Sequence, residues 1–147
     1  DLPNGPWGGG YAEEDIPRLI TMTQHQQKMQ LFRGDSHKPE MLKATERVLT
    51  GRKLDMLFID GDHSYEGVKQ DWEMYSPLVK SGGIVVFHDI VPHDFEGCDV
   101  DLFWNELKHD YEYEEFITPV EIPYLMKPKS EGGAGKDWGG IGVIHIP

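Results

Sequence analysis

The sequence predicts an α/β fold built on a mostly parallel open sheet with an antiparallel edge at its carboxyl-terminal side. Two observations point to it. First, two short apolar runs, Met56-Leu57-Phe58-Ile59 and Ile84-Val85-Val86-Phe87, flank a helix-length segment, the pattern of a strand, a crossover helix and a parallel neighbour. Second, two later strand-like runs, 113–120 and 141–146, follow one another with no helical pattern between them, so they are expected to pair antiparallel.

The elements follow in order. Residues 1–12 are rich in Gly and Pro and read as a loop, and residues 16–27 read as a short helix with Pro17 in its first turn. Residues 28–33 alternate weakly around Met29, Leu31 and Phe32, which predicts a strand ending at Gly34-Asp35-Ser36. A helix then starts at Ser36 or Lys38 with Pro39 near its first position, carries Met41, Leu42, Val48 and Leu49 on one face, and stops at Gly51. After the first apolar run, Ser64 is placed to cap a helix on which Tyr65, Val68, Trp72, Tyr75 and Val79 recur at helical spacing. Ser76-Pro77 bends or restarts that helix, and Gly82-Gly83 is expected to turn the chain into the second strand. A third helix spans about 101–110.

Composition limits the function classes. At 147 residues the chain is expected to be one domain, 1–147. With 14 basic against 26 acidic residues and a net charge of −12, a nucleic-acid partner is disfavoured, because phosphate binding relies on clustered Lys and Arg. No apolar stretch approaches the roughly 20 residues that span a bilayer, so no membrane partner is expected. The lone Cys98 cannot form an internal disulfide, which fits a reducing, cytoplasmic compartment.

Three motifs fail on inspection. Asp60-Gly61-Asp62-His63-Ser64 opens like a calcium loop, but Tyr65 stands where Gly is required and a strand precedes it. Gly133-Ala134-Gly135-Lys136 is not a phosphate-binding loop, since Ser130 replaces the first Gly and Asp137 the Ser or Thr. Gly8-Gly9-Gly10 does not complete a dinucleotide fingerprint, because Glu13 holds the last Gly position.

The chemistry lies where the two apolar runs end. The first delivers Asp60, Asp62 and His63, the second His88 and Asp89. In a parallel pair both clusters occupy one sheet edge, the edge at which open α/β sheets bind ligands. These are potential metal ligands or proton-transfer groups.

The segment FIDGDHSYEGVKQDWEMYSPLVKSGGIVVFHDI resembles the centre of class I S-adenosylmethionine-dependent methyltransferases, in particular the cephalosporin hydroxylase-like and macrocin O-methyltransferase-like branch. RGDS at residues 33–36, Asp1-Leu2-Pro3 and the terminal GGIGVI extend the likeness over essentially the whole chain. The resemblance implies a Rossmann-like sheet, S-adenosylmethionine as cofactor with Asp1, Asp35 and Ser36 on its ribose and adenine, and a small-molecule hydroxyl as acceptor. It further implies Mg²⁺ or another divalent metal on Asp60, His88 and Asp89, with His63 as the base; an imidazole ligand also admits Mn²⁺, Zn²⁺ or Fe²⁺.

The family's first strand and glycine-rich cofactor loop have no counterpart in this sequence, so a sheet lacking its amino-terminal strands is expected. That in turn predicts a rearranged sheet or a homo-oligomer covering the open flank. Each site residue also has an ordinary structural reading: Asp60 as a cap, His63 as a hydrogen-bonded histidine, Asp35 and Ser36 as turn formers. Trp72, Tyr75 and Phe87 are expected in the core, and Trp104 and Trp138 either pack there or line a substrate pocket. Two further functions stay open. One is a metal-dependent hydrolase or oxygenase using His88, Asp89, His93 and Asp94 with Asp60; the other is a non-catalytic methyltransferase-like fragment that associates through its incomplete sheet.

Overall fold

The computed structural model describes residues 12–23, 26–92, 96–117 and 140–147. Among the described residues, four α-helices, α1 (Ile16–Ile20), α2 (Pro39–Leu49), α3 (Tyr65–Tyr75) and α4 (Val100–Leu107), accompany four strands, β1 (Leu54–Ile59), β2 (Val79–His88), β3 (Glu112–Phe116) and β4 (Ile141–His145). The strands form one sheet in the order β1-β2-β4-β3. β1 and β2 are parallel, with Met56 opposite Ile84 and Ile59 opposite Phe87, while β4 is antiparallel to both β2 and β3. The antiparallel pairing expected at the carboxyl-terminal side is present. The last strand lies inside the sheet, between β2 and β3, and among the described residues β3 forms the rim.

The β1–α3–β2 unit positions the site, and its local causes are plain. The Ser64 hydroxyl accepts a hydrogen bond from the Gly67 amide at 3.1 Å and starts α3. Val68 and Trp72, one turn apart, then bury the inner face of the helix. Pro77 cannot continue the helix, and a 3₁₀ turn at Ser76–Leu78 ends it. Gly82-Gly83 does not introduce β2, as expected, because the strand has already begun at Val79. The pair sits instead at an irregularity within it: register slips between Leu54 and Met56, and Gly82 adopts φ +73°. A Cβ on Gly83 would come within 2.6 Å of Val79 Cγ1 and 2.9 Å of the Asp55 carbonyl, so only glycine lets the strands meet there.

The core gathers between the sheet and helices α3 and α4. Val68, Val85, Phe87, Trp104 and Ile144 are fully buried. The Phe87 ring lies 5.5 Å from Trp104, 5.8 Å from Trp72 and 6.2 Å from Phe103. Trp104 presses against β4 at Gly142, where a Cβ would come within 2.6 Å of its ring, and its indole N–H donates to Glu115 at 2.6 Å. Trp104 is therefore core, not pocket lining; Trp138 lies outside the described residues.

Two expected elements are absent or shortened. Residues 28–33 join no ladder, so the predicted strand does not form; its weak alternation supplied no buried face to fix a register. No strand precedes β1 among the described residues. The helix predicted over 16–27 ends at Ile20, where the hydroxyls of Thr21 and Thr23 turn back to donate to the Arg18 and Ile20 carbonyls at 2.6 and 2.7 Å. Such side chains compete with the helical ladder. α2 runs as expected and closes with Thr50 (φ +51°) and Gly51 (φ +80°) in left-handed conformations. No residue of α2 is buried. Among the described residues, no helix is long and apolar enough to cross a membrane.

Candidate active site

Asp60 directly follows β1, and His88 and Asp89 stand at the end of β2. The parallel register carries all three to one edge, and the turn before α3 brings back His63. Asp62 shapes that turn: its Oδ1 accepts from the Ser64 amide at 3.0 Å, and its carboxylate lies over Gly67, where a Cβ would clash.

Four of the residues singled out from sequence converge here. His63 Nδ1 stands 2.9 Å from Asp89 Oδ2, and His63 Nε2 stands 3.2 Å from Asp60 Oδ1. His88 Nδ1 lies 3.0 Å from Asp89 Oδ1 and 3.5 Å from Asp60 Oδ1. Asp89 is buried and holds φ +60°, a conformation that costs a non-glycine residue of order 1 kcal/mol or more and clusters at functional sites. The His88 Nδ1 atom is shut off from solvent and finds no hydrogen-bond partner of acceptable angle among the described residues, despite its two carboxylate neighbours. This nitrogen thus stands beside one oxygen of each of the other two expected cation ligands, Asp60 and Asp89. Hydrogen bonding to Asp89, with smaller contributions from the charges of Asp89 and Asp60, raises the His63 pKa above the ordinary histidine value against the opposing effect of burial.

Cys98 joins this group, and nothing in its sequence context announced it. Its Sγ lies 3.8 Å from His63 Nδ1, and the Asp99 amide donates to the His63 carbonyl at 2.9 Å, tying the loop before α4 to the site. Burial, reinforced by the nearby Asp89 charge, pushes the Cys98 thiol up to about 11.

Asp35 and Ser36 belong to a neighbouring network. Asp35 Oδ1 accepts from the His37 amide at 2.9 Å and Tyr75 donates its hydroxyl to the Ser36 carbonyl at 2.7 Å, so both residues take part in turn and packing contacts. His37, which sequence reading passed over, locks this turn to α3: its Nε2 lies 3.1 Å from the Gly67 carbonyl and 3.3 Å from Asp71 Oδ1. Asp71, also passed over, is buried, and desolvation raises its pKa more than His37 and Ser36 lower it. A Cβ on Gly61 would lie 3.1 Å from Asp71 Oδ2, so this network abuts the Asp60–His63 turn. Asp1, His93 and Asp94 lie outside the described residues.

A parallel β-α-β unit that presents carboxylates and imidazoles beyond its strand ends is the arrangement of an α/β fold of the Rossmann-like class. The model of a methyltransferase domain family matches residues 7–90, more than half of the chain, and the chain belongs to that family. Among solved structures, a Staphylococcus aureus protein provisionally named a caffeoyl-CoA O-methyltransferase superposes with a TM-score of 0.55 at 17% identity, covering 91% of this chain and 61% of its own, which shows the shared fold. The O-methyltransferase TomG of Streptomyces achromogenes, involved in tomaymycin synthesis and solved with S-adenosylmethionine, gives 0.48 at 17% identity over 74% of this chain and 46% of its own. An uncharacterized protein of Acanthamoeba polyphaga mimivirus is 50% identical over 36 residues, 24% of this chain. Another, from Sinorhizobium fredii, is 37% identical over 54 residues, 37% of this chain. The chain spans 16% and 6% of the length of those two relatives.

Proposed function

We propose that this domain transfers a methyl group from S-adenosylmethionine to a hydroxyl of a small molecule, with a divalent cation assisting. The observation that carries this reading is the convergence of Asp60, His63, His88 and Asp89 at the carboxyl ends of adjacent parallel strands in a chain of the methyltransferase family. Asp60, His88 and Asp89 would hold the cation, which when bound lowers the pKa of a coordinated hydroxyl. His63 accepts the hydroxyl proton, and Asp89 at 2.9 Å orients the ring and stabilises the imidazolium that results. Asp35 and Ser36, and Asp1 beyond the described residues, are assigned to the adenosine end of the cofactor.

The test is transfer of labelled methyl from S-adenosylmethionine to a panel of hydroxylated small molecules, with and without a chelator. Chelation is expected to abolish transfer and Mg²⁺ to restore it. His63→Ala is expected to slow transfer by about 10²- to 10⁴-fold, the usual contribution of a general base. Unchanged rates in both experiments overturn the assignment.

A second reading rests on β1, whose outer edge has no partner strand among the described residues and whose Met56 and Phe58, on the face away from the core, are 54% and 46% exposed. Here the domain associates through its open sheet flank, as a homo-oligomer or with further sequence of its own protein. Light scattering of the protein at increasing concentration tests it: a fixed monomer mass rejects the homo-oligomer.

A further inference from the structure

We propose that Cys98, His63 and Asp89 form a binding site for a thiophilic divalent cation, Zn²⁺ by its chemistry, distinct in composition from the oxygen-rich set of Asp60, His88 and Asp89. The three ligand atoms, one from each side chain, all lie within 4.8 Å of one another. His63 Nδ1 stands 2.9 Å from Asp89 Oδ2 and 3.8 Å from Cys98 Sγ. A tetrahedral zinc ion with ordinary bond lengths separates nitrogen, oxygen and sulfur donors by about 3.4 to 3.6 Å. The His63–Asp89 and His63–Cys98 spacings each fall within about half an ångström of these values, and the Asp89–Cys98 spacing is no more than 4.8 Å.

The surroundings support coordination. A metal-bound imidazole characteristically donates its other ring N–H to a carboxylate, which fixes the tautomer. His63 has that arrangement, since its Nε2 faces Asp60 Oδ1 at 3.2 Å while Nδ1 faces Asp89 and Cys98. Asp89 and Cys98 are 8% and 6% exposed, which removes competing water. The backbone bond from the Asp99 amide to the His63 carbonyl holds the cysteine loop against the histidine. Three protein ligands leave the fourth tetrahedral position open to water or another small donor. The site itself does not depend on methyl transfer. One consequence does rest on that reading: a zinc ion here occupies both His63 and Asp89, so Zn²⁺ inhibits where Mg²⁺ assists.

Cobalt titration of the full chain tests the proposal, because Co²⁺ adopts zinc geometry and reports sulfur ligation by a thiolate-to-metal charge-transfer band in the near ultraviolet. The sequence contains one cysteine, so that band in the unaltered protein already identifies Cys98. It is expected to appear at one equivalent, to be bleached by Zn²⁺ but not by Mg²⁺, and to be missing in Cys98→Ser. Asp60→Asn is expected to weaken cobalt binding by about 10-fold or more while leaving the band, as for the loss of a carboxylate behind a ligating histidine. Cobalt that binds without the band, or fails to bind, overturns the site and leaves the methyl-transfer reading to its own assay. The band without methyl transfer supports the site and removes only the enzymatic reading.

Discussion

β1 and β2 are near twins in sequence: each has an apolar run of similar length that ends in aspartate and histidine. They differ in surroundings. β2 is paired on both edges, by β1 and β4, and covered by α3 and α4, so Val85 and Phe87 are fully buried. β1 pairs with β2 alone among the described residues: its Ile59 joins the core beside Phe87, but on the opposite face Met56 and Phe58 stay about half exposed where Val86 of β2 is 8% exposed. The same hydrophobicity thus buries both faces of β2 but only the inner face of β1. The lesson is that an apolar run specifies a strand, while burial is conferred by its neighbours.

The comparison breaks most visibly in its aromatic pair. Phe87→Ala is expected to cost about 3–5 kcal/mol and Phe58→Ala less than about 1 kcal/mol, because only the first leaves a cavity in a closed core. Urea midpoints measure both. Equal losses would mean that β1 is covered in solution as β2 is. Next in size, Gly83→Ala is expected to cost about 1–3 kcal/mol, since its Cβ would be forced against Val79 and the Asp55 carbonyl at the seam between the strands. A neutral result would show that the seam adjusts.

A smaller effect tests α3, the helix joining the two strands. Burial raises the Asp71 pKa, so the folded state penalises its charged form. That penalty is absent below the unfolded value, about 3.9, and grows as pH rises through that value toward the raised folded one. This component of stability therefore falls with rising pH, and Asp71→Asn is expected to remove it, flattening the dependence of the urea midpoint on pH. An unchanged slope refutes the assignment. Least of all, the exposed Asp55–Lys80 pair at 2.6 Å links β1 to β2 across the surface, and Asp55→Asn is expected to leave the midpoint unchanged within error.

Much of the candidate site is legible in the sequence because its assembly follows from topology. Two parallel strands and one crossover suffice to bring Asp60, His63, His88 and Asp89 to a common edge, and the distances agree. Cys98, His37 and Asp71 were not legible. Cys98 reaches His63 from a loop 35 positions away in the chain, and Asp71 looks like any polar residue of an amphipathic helix until His37 folds over it. Residues 28–33 failed in the opposite sense: a weak period of two signalled a strand, but pairing requires a partner that the local sequence cannot supply.

Local chemistry in the sequence accounts for the cap at Ser64, an interruption of the helix at Ser76-Pro77, the strand-forming runs and the ionisable groups that end them, though the helix stops there instead of bending on to Val79. Tertiary structure alone decided that β4 enters between β2 and β3, that Trp104 closes over Gly142, and that Cys98 meets His63 and Asp89. The physical reason is range. Capping, turn geometry and hydrophobic period act over a few residues, whereas these contacts close long loops and exist only where packing of the whole core makes that closure favourable.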